Sequence, residues 1–328
     1  MVALSACAAP EDVEGPGGED SEATFLQLAT GSTGGTYYPL GGEIAQLWSD
    51  NIEDVEVSTF ATGASVQNLR SLEGETEDDE GTQADQSQLI MAVNGVAMQA
   101  RESAGPFADQ PLGSPDDIRA LGNIYPEVMQ VVVGADSDIE SIADLEGMNV
   151  EIGPPGSGTE VAARQILEAY GLDPESDINA YDSTFGDAAT ALGDGTVDAA
   201  FGILSVPAAG IVQVSASNEV RLLPIDGAES ESLIADDPSY SPLTIDGGTY
   251  NGQDEDVVTL TQWATLYTTS ALDEQLAYDL VRVMYEEAGE IGHDVGGQVQ
   301  LDTAIDGLGD IELHPGAERF YQEQGLLD

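Results

Sequence analysis

Gly153-Pro154-Pro155-Gly156-Ser157-Gly158-Thr159-Glu160 is the stretch that decides the fold of this chain. It follows the apolar run 148–152 and precedes residues 161–170, whose apolar side chains recur at helical spacing up to Gly171. The pattern predicts a strand, a glycine loop and the start of a helix. Exposed N–H groups and the helix dipole at such a start form a site for an anion, with Ser157 or Thr159 as the N-cap.

Two alternatives to an anion site stay open for this loop. The first is the phosphate loop of nucleotide hydrolases, because residues 153–158 match the first six positions of Gly-x-x-x-x-Gly-Lys-Ser/Thr. Thr159 stands where that motif has its lysine, and the sequence contains no lysine at all. A nucleotide would therefore lack its usual charge partner. The second alternative is a tight turn that only ends a strand.

A second unit of the same type opens the predicted fold. Residues 24–30 alternate as a strand, and Gly31-Ser32-Thr33-Gly34-Gly35-Thr36-Tyr37-Tyr38-Pro39 follows as a glycine loop. Tyr37 and Tyr38 have two interpretations: packing against the core, or a wall of rings and hydroxyl donors beside a ligand. Helical spacing then places four apolar residues on one face of a helix, namely Leu40, Ile44, Leu47 and Trp48.

Two more strands and helix starts follow in the same order. Residues 55–60 alternate as a strand before the turn Thr62-Gly63-Ala64-Ser65, and the apolar strand 89–93 ends at Asn94-Gly95. Successive strand–helix units predict a mostly parallel sheet flanked by helices. Ligands of such sheets bind beyond the carboxyl ends of the strands, where the loops 32–38, 62–65 and 94–95 would all lie.

The length of 328 residues indicates two lobes rather than one. We predict that the chain crosses into a second lobe around Tyr125-Pro126-Glu127, between the strands 118–124 and 128–133, and returns near Ile225. Lobe one would comprise residues 23–124 and 228–328, and lobe two residues 125–227. Each lobe is predicted to be α/β, with a mostly parallel sheet between helices.

Acidic residues dominate the charge of the chain. It has 62 Asp and Glu residues against 7 Arg and no Lys, so its formal net charge is −55. Such a chain repels itself at low salt, whereas the Debye length of about 3 Å at 1 M salt screens the repulsion. We interpret the even spread of acid as the surface of a protein from an extreme halophile. The alternative is an acidic protein that binds cations or basic partners. Nucleic acid is not expected as a partner, because so few cations cannot track a phosphate backbone.

Cys7 is the only cysteine, so an intrachain disulfide is excluded. Leu4-Ser5-Ala6-Cys7 resembles the lipobox of a lipoprotein signal peptide, and residues 8–22, rich in Glu, Asp, Gly and Pro, are interpreted as a flexible tether. We expect a lipid anchor at Cys7, behind a truncated signal; the alternative is a chance cysteine in a disordered tail. The sequence has no run of about 20 apolar residues, so no membrane span is expected.

Residues with catalytic potential form no recognisable constellation. His293 and His314 lie outside any metal-type spacing, and we expect structural roles for both. A Gly-x-Ser-x-Gly elbow is absent, and carboxylates are so abundant that nearby pairs arise by chance. The sequence therefore predicts a protein that is not an enzyme, with no cofactor and no metal site.

Four motifs carry a resemblance to a known family. They occur in the family's order from residue 24 to the C-terminus. They are Ala29-Thr30-Gly31-Ser32-Thr33-Gly34-Gly35-Thr36-Tyr37-Tyr38-Pro39-Leu40-Gly41; Asp144-Leu145-Glu146-Gly147 with the loop 153–160; Asp194-Gly195-Thr196-Val197-Asp198-Ala199-Ala200-Phe201; and Leu313-His314-Pro315-Gly316-Ala317. Each motif alone is weak, whereas the ordered set is specific. In this set the chain resembles the TAXI family, the solute receptors of TRAP transporters.

The resemblance implies an α/β, two-lobed type II periplasmic-binding-protein fold that closes on a small carboxylate, such as glutamate or a related dicarboxylate. It implies a receptor that delivers its ligand to a TRAP-type permease. With the lipid expected at Cys7, we predict a monomer anchored to the outer face of the cell membrane. By position, ligand-binding residues would come from lobe one, with Ser65 and Asn94 as the weaker candidates, and from lobe two. They are Thr33, Gly34, Gly35, Tyr37, Tyr38, Ser65, Asn94, Ser157, Gly158 and Thr159.

Two features depart from the family pattern. Residues 74–85 form an atypical acidic insertion, and the charge of the surface opposes the approach of an anion. The identity of the ligand therefore stays open at this point. The alternative function is a sensor module that binds a ligand and signals to a membrane partner. An enzyme on the same fold is a third hypothesis, which the missing catalytic constellation disfavours.

Overall fold

The computed structural model of the protein describes residues 23–72 and 87–327. The predictions for Cys7, for the tether that precedes residue 23 and for the acidic insertion 74–85 lie outside these residues. Strands and helices alternate along much of the described chain. The strands are β1 (Thr24–Ala29), β2 (Val55–Phe60), β3 (Leu89–Val93), β4 (Ile118–Gly134), β5 (Asn149–Glu151), β6 (Asn179–Tyr181), β7 (Ala199–Leu204), β8 (Val220–Leu223), β9 (Ser241–Ile245) and β10 (Val257–Thr269).

The helices follow the strands closely, as the sequence pattern predicts. They are α1 (Tyr37–Asn51), α2 (Ser65–Leu72), α3 (Asn94–Glu102), α4 (Gly158–Ala169), α5 (Phe185–Gly193), α6 (Ala209–Ser215), α7 (Gly227–Asp236), α8 (Glu274–Glu286) and α9 (Pro315–Gln324). In residues 23–72 and 87–327, none of the helices combines the length and the apolar composition that a bilayer crossing requires.

The ten described strands belong to one sheet. Its main path runs in the order β2-β1-β3-β10-β4-β7-β5-β6, while β8 pairs with β4 and β9 pairs with β10. The pairs at both ends are parallel: β1 with β2 and β3, and β5 with β6 and β7. We call β2-β1-β3 the first half-sheet and β7-β5-β6 the second half-sheet. The long strands β4 and β10 run antiparallel between them and join the two.

β4 is one continuous strand of 17 residues, which contradicts the predicted break at Tyr125-Pro126-Glu127. Pro126 lies opposite Trp263 of β10, and the register of this pairing shifts between Ala264 and Thr265. An extended backbone suits the fixed φ of proline, and an irregularity beside it accommodates the missing N–H group. Glu127 therefore lies within the sheet rather than in a surface turn.

The first half-sheet packs against α1 on one face. The four residues predicted to share a face of this helix are buried. Trp48 also donates a hydrogen bond from Nε1 to the carbonyl oxygen of Leu280 in α8 at 2.8 Å. Phe320 and Tyr321 of α9 belong to the same core cluster, so the C-terminal helix predicted after Pro315 completes this layer.

A second core cluster extends across both half-sheets. It includes Val93 and Val96 next to the first half-sheet and Ile152 and Ile166 next to the second. Because this apolar surface is shared, the two halves are in contact along the edge where the parallel strands end. The loops at the carboxyl ends of both half-sheets therefore meet.

The division into lobe one and lobe two stays a prediction. Part of the segment after residue 227 lies beside the second half-sheet. Tyr250 packs in a cluster with Val128 of β4 and Leu204 of β7, and β9 pairs with the first residues of β10. The amide of Val220 also donates to the carbonyl oxygen of Asn251 at 3.0 Å. These contacts involve residues that the predicted division assigns to lobe one.

Candidate functional site

A cavity of about 70 Å³ lies where the two half-sheets meet. A volume of this size accommodates on the order of five water-sized groups. It is bordered by the loops that follow β1, β2 and β5, together with residues of β4 and β7. The residues that line it are Gly31, Ser32, Gly35, Thr36, Tyr37, Gly63, Ala64, Ser65, Val93, Glu127, Pro154, Ser157, Gly158, Thr159, Phe185, Ile203 and Leu204.

The loop before α4 brings helix amides to this cavity. Gly153 and Gly156 adopt φ values of +92° and +78°, which only glycine adopts without strain, and they turn the chain after β5. Ser157 is the N-cap, and its hydroxyl accepts a hydrogen bond from the amide of Glu160 at 3.1 Å. The amides of Gly158 and Thr159 lie in the first helical turn, where an α-helix has no internal acceptor for them. An anion in the cavity is the acceptor that such a turn suits best.

The start of α2 closes the opposite side of the cavity. The amide of Val66 in α2 donates to the carbonyl oxygen of Gly156 at 3.0 Å. This hydrogen bond directly joins α2, beside the first half-sheet, to the loop before α4. Gly158 lies against β3, because a methyl group placed on it would come within 2.7 Å of Val93 Cγ2. The structure therefore shows the cleft in a closed arrangement.

Glu127 is a buried acid at the cavity. Tyr37 donates a hydrogen bond to its Oε2 and Tyr125 donates one to its Oε1, each at 2.8 Å. Burial raises the pKa of Glu127 from 4.5 to about 7, while the two tyrosine hydrogen bonds act in the opposite direction. Burial also raises the pKa of both tyrosines well above the usual value, so their hydroxyls stay protonated donors.

Among the residues that the structure describes, no cationic side chain lines this cavity, and Glu127 is the one acidic residue in its lining. His314 instead caps α9, where its Nδ1 accepts a hydrogen bond from the amide of Gly316 at 3.2 Å. The amide of His293 donates to Glu43, also away from the cavity. In the described ranges, no three His, Cys, Asp or Glu side chains are grouped so that they could hold a metal ion.

Six of the ten residues predicted to bind the ligand line the cavity. They come from both halves, as the resemblance implied, and their role in binding stays a prediction. The six are Gly35, Tyr37, Ser65, Ser157, Gly158 and Thr159. The hydroxyls of two of them also serve the framework: Ser65 accepts from the amide of Val93 at 3.1 Å, and Thr159 accepts from the amide of Ile203 at 3.3 Å.

The other four lie outside the lining. Thr33 and Gly34 are exposed at the tip of the β1–α1 loop, where Gly34 approaches the backbone of Gly186 across the cleft. Tyr38 follows Tyr37 in α1, so its side chain projects about 100° away from that of Tyr37. Asn94 is buried and donates from its amide to Gly307 O at 2.7 Å while its Oδ1 accepts from the amide of Trp263 at 3.0 Å. Asn94 therefore fixes the start of α3 to β10, and its role in ligand binding stays a prediction.

The sequence reasoning missed Glu127, Thr36 and Phe185. Carboxylates are so frequent in this chain that composition gives no reason to single out one of them. One signal was present: Glu127 is the only acidic residue in the long apolar stretch 118–133. A charged residue inside a buried strand is informative, because burying an acid costs free energy unless it has partners.

A wider cavity of about 1050 Å³ lies between α3, α4 and the end of α7. Acidic residues outnumber the two arginines in its lining, and each arginine pairs with an acid: Arg101 with Asp116 at 3.5 Å and Arg164 with Glu160 at 3.2 Å. We place the candidate site in the smaller cavity, because the starts of α1, α2 and α4 converge there from both half-sheets.

Solved structures of periplasmic proteins share this fold. MatC from Rhodopseudomonas palustris, solved with bound malate, aligns with a TM-score of 0.54 over 92% of this chain and 96% of its own, at 13% identity. The periplasmic binding protein BugD aligns with a TM-score of 0.54 over 92% of this chain and 93% of its own, at 11% identity. A structure described as a periplasmic transporter gives 0.52, with 92% and 93% covered and 15% identity. The predicted periplasmic-binding-protein fold is thereby confirmed.

Sequence comparison gives the family independently of the fold. The model of the NMT1-like family matches residues 28–325, a range that runs from the end of β1 through the loop before α4 to the end of α9. Because this range covers most of the 328 residues, the chain is a member of the NMT1-like family.

Proposed function

We propose that the chain is an extracytoplasmic receptor that closes on a small carboxylate and delivers it to a TRAP-type membrane permease, as the TAXI resemblance implies. The observation that carries the proposal is the cavity at which the first amides of α4 meet the starts of α1 and α2. Each charge-assisted hydrogen bond from such an amide to a carboxylate contributes roughly 1.5–3 kcal/mol. A carboxylate is therefore held without lysine.

The ligand we favour is glutamate or a related dicarboxylate. The malate in the structure of MatC supports this class, because malate is a small dicarboxylate in a protein of the same fold. We propose binding rather than catalysis, since the described lining offers neither His nor Cys beside the hydroxyls of Ser65, Ser157 and Thr159, and the carboxylate of Glu127 is hydrogen-bonded to Tyr37 and Tyr125 rather than to any of these hydroxyls.

Opening and closing would use the long strands that join the half-sheets. We propose that lobe one (residues 23–124 and 228–328) and lobe two (125–227) move about β4 and β10, as in hinge closure around a ligand. The receptor would act as a monomer held at the outer membrane face by a lipid on Cys7, whose lipobox-like sequence supports the anchor.

Native mass spectrometry of the protein, gently desalted from molar salt, tests this proposal. We expect an adduct whose mass matches glutamate or a dicarboxylate. A nucleotide mass would instead support the phosphate-loop interpretation of residues 153–158. If no adduct is found, a thermal-shift screen of carboxylates in molar KCl decides, and a screen without any stabilising carboxylate contradicts the proposal.

Ser157 gives a direct test of the α4 amides. We expect Ser157→Ala to lower the free energy of unfolding by about 1 kcal/mol, because it removes an N-cap, and also to weaken binding of L-glutamate. Asp273→Ala is the matched control: Asp273 caps α8 through the amide of Leu276 at 2.9 Å, far from the cavity. It should cost similar stability and leave binding unchanged. Equal affinities in both variants would contradict a role of Ser157 at the site.

The proposed halophilic origin predicts a fold that depends on salt. With a net charge of −55, repulsion across the surface is screened only when the Debye length falls from about 10 Å at 0.1 M to about 3 Å at 1 M salt. We expect the midpoint of thermal unfolding, followed by circular dichroism, to rise steadily from 0.1 M to 3 M KCl. A midpoint that is the same across this range would contradict the prediction.

A further inference from the structure

Glu127 has capacity for a further hydrogen-bond donor. It is 4% exposed, and each of its oxygens accepts one hydrogen bond, from Tyr37 or from Tyr125. An ionised carboxylate has about four acceptor positions. Two hydroxyls therefore leave it incompletely satisfied, at a place where it borders the cavity.

The protein supplies no cation to this carboxylate. All seven arginines contact carboxylates or backbone oxygens elsewhere, and neither histidine lines the cavity. The side chains that contact the Glu127 carboxylate are those of Tyr37 from α1 and Tyr125 from β4, and its pairing partner on β10 is the uncharged Gln262, whose amide donates to Ser239. Tyr267 of β10 lies near Tyr37 and is also uncharged, because burial raises its pKa. The residues of α4, α5 and β7 in the lining carry no charge. Within residues 23–72 and 87–327, no side chain therefore brings a positive charge to this place.

We propose that Glu127 binds the ammonium group of the ligand, so that the ligand is an α-amino acid whose carboxylate contacts the first amides of α4. This inference rests on the proposed receptor function and decides between glutamate and plain dicarboxylates in favour of the amino acid. Both contact points border the same cavity of about 70 Å³, which holds on the order of five water-sized groups.

Charge balance supports the assignment. In a zwitterionic head group, the carboxylate would lie at the start of α4 and the ammonium group at Glu127. The helix start then compensates the ligand carboxylate, and the ammonium group compensates the charge of Glu127. A dicarboxylate without an ammonium group would add two negative charges beside Glu127 and would bring no cation. Such a ligand would require Glu127 to be protonated.

Matched ligand pairs test the proposal by calorimetry in molar KCl. The pairs are L-glutamate with glutarate, and L-alanine with propionate, so that each pair differs in the ammonium group. We expect the amino acid of at least one pair to bind about 10- to 100-fold more tightly than its partner, as a charged hydrogen bond would give. Glu127→Gln should remove most of this preference. Equal binding within the pairs overturns the ammonium site and leaves the receptor standing. Failure of every compound and of a wider carboxylate screen overturns the receptor function itself.

Proton release provides a second test that needs no variant. Because Glu127 is mostly protonated one unit below its pKa of about 7, an ammonium ligand bound at about pH 6 should release close to one proton, and far less at about pH 8. Titrations in two buffers of different ionisation enthalpy measure this number. Proton uptake on binding at about pH 8 would show that Glu127 is protonated in the complex, which contradicts the ammonium contact.

Discussion

Gly158→Ala is expected to weaken ligand binding roughly 10- to 100-fold, because overpacking a closed interface by one methyl group typically costs about 1–3 kcal/mol. The added Cβ would lie 2.7 Å from Val93 Cγ2 and 3.1 Å from Ser65 Oγ. Val93 ends β3 of the first half-sheet and Ser65 starts α2 beside it, whereas Gly158 starts α4 beside the second half-sheet. The clash therefore arises in the closed cleft, and opening the cleft relieves it.

Two measurements separate this effect from a general loss of stability. Calorimetry with L-glutamate, or with the ligand that mass spectrometry identifies, gives the affinity. Small-angle X-ray scattering with saturating ligand should show that the variant stays more extended than wild type. Gly42→Ala is the control, because Gly42 lies in α1 with no atom within 4 Å of an added Cβ. A Gly158→Ala protein with normal affinity and a normal closed radius of gyration would show that closure does not involve this contact.

The free energy of unfolding should fall with rising pH in a manner that depends on Glu127. Its pKa is about 7 in the folded protein and 4.5 as the ordinary value. Between these values the folded state binds the proton and the unfolded state does not, so stability decreases as pH rises. From about pH 5.5 to about pH 8 this single group should remove about 2 kcal/mol. Glu127→Gln has no proton to lose at this position and should show a flatter profile.

Denaturant unfolding of the ligand-free protein in molar KCl at several pH values measures this difference. The relevant quantity is wild type minus Glu127→Gln, since the other carboxylates contribute to both proteins alike. Glu168→Gln, which removes an exposed carboxylate from α4, should follow wild type. Parallel profiles for wild type and Glu127→Gln would mean that Glu127 keeps the same proton affinity in the folded and unfolded states.

Local patterns predicted the elements that build the site. Helical spacing in α1 correctly identified the buried face that includes Leu40 and Trp48, since a repeat of about 3.6 residues is decided by neighbours along the chain. Gly153 and Gly156 were placed in a loop between a strand and a helix, and their positive φ values explain why glycine stands there. The loops that follow β1, β2 and β3 were expected at one edge of the sheet; the loops after β1 and β2 border the cavity, whereas Asn94 and Gly95 after β3 are not in its lining.

The contacts of Asn94 and of Tyr125-Pro126-Glu127 could not be predicted from neighbouring residues in the sequence. Asn94 has the position of a site residue at the end of a parallel strand, yet its hydrogen bonds go to Gly307 and Trp263, both distant in sequence. Proline in a strand normally indicates an edge or an end. The pairing of Pro126 with Trp263 keeps β4 continuous instead, and that pairing follows from the position of β10.

The order of strand–loop–helix units, the glycine loops and the acidic character of the surface could all be predicted from the residues alone, because these features depend on spacing and composition. Only the tertiary structure decided what the site contains. Tyr37 and Glu127 are 90 residues apart in sequence and share a hydrogen bond of 2.8 Å, and the amide of Val66 meets Gly156 across the cleft. The burial and the pKa of Glu127 depend on these contacts between residues that are distant in sequence. One glutamate among 62 acidic residues therefore acquires its character from the groups that the fold brings around it.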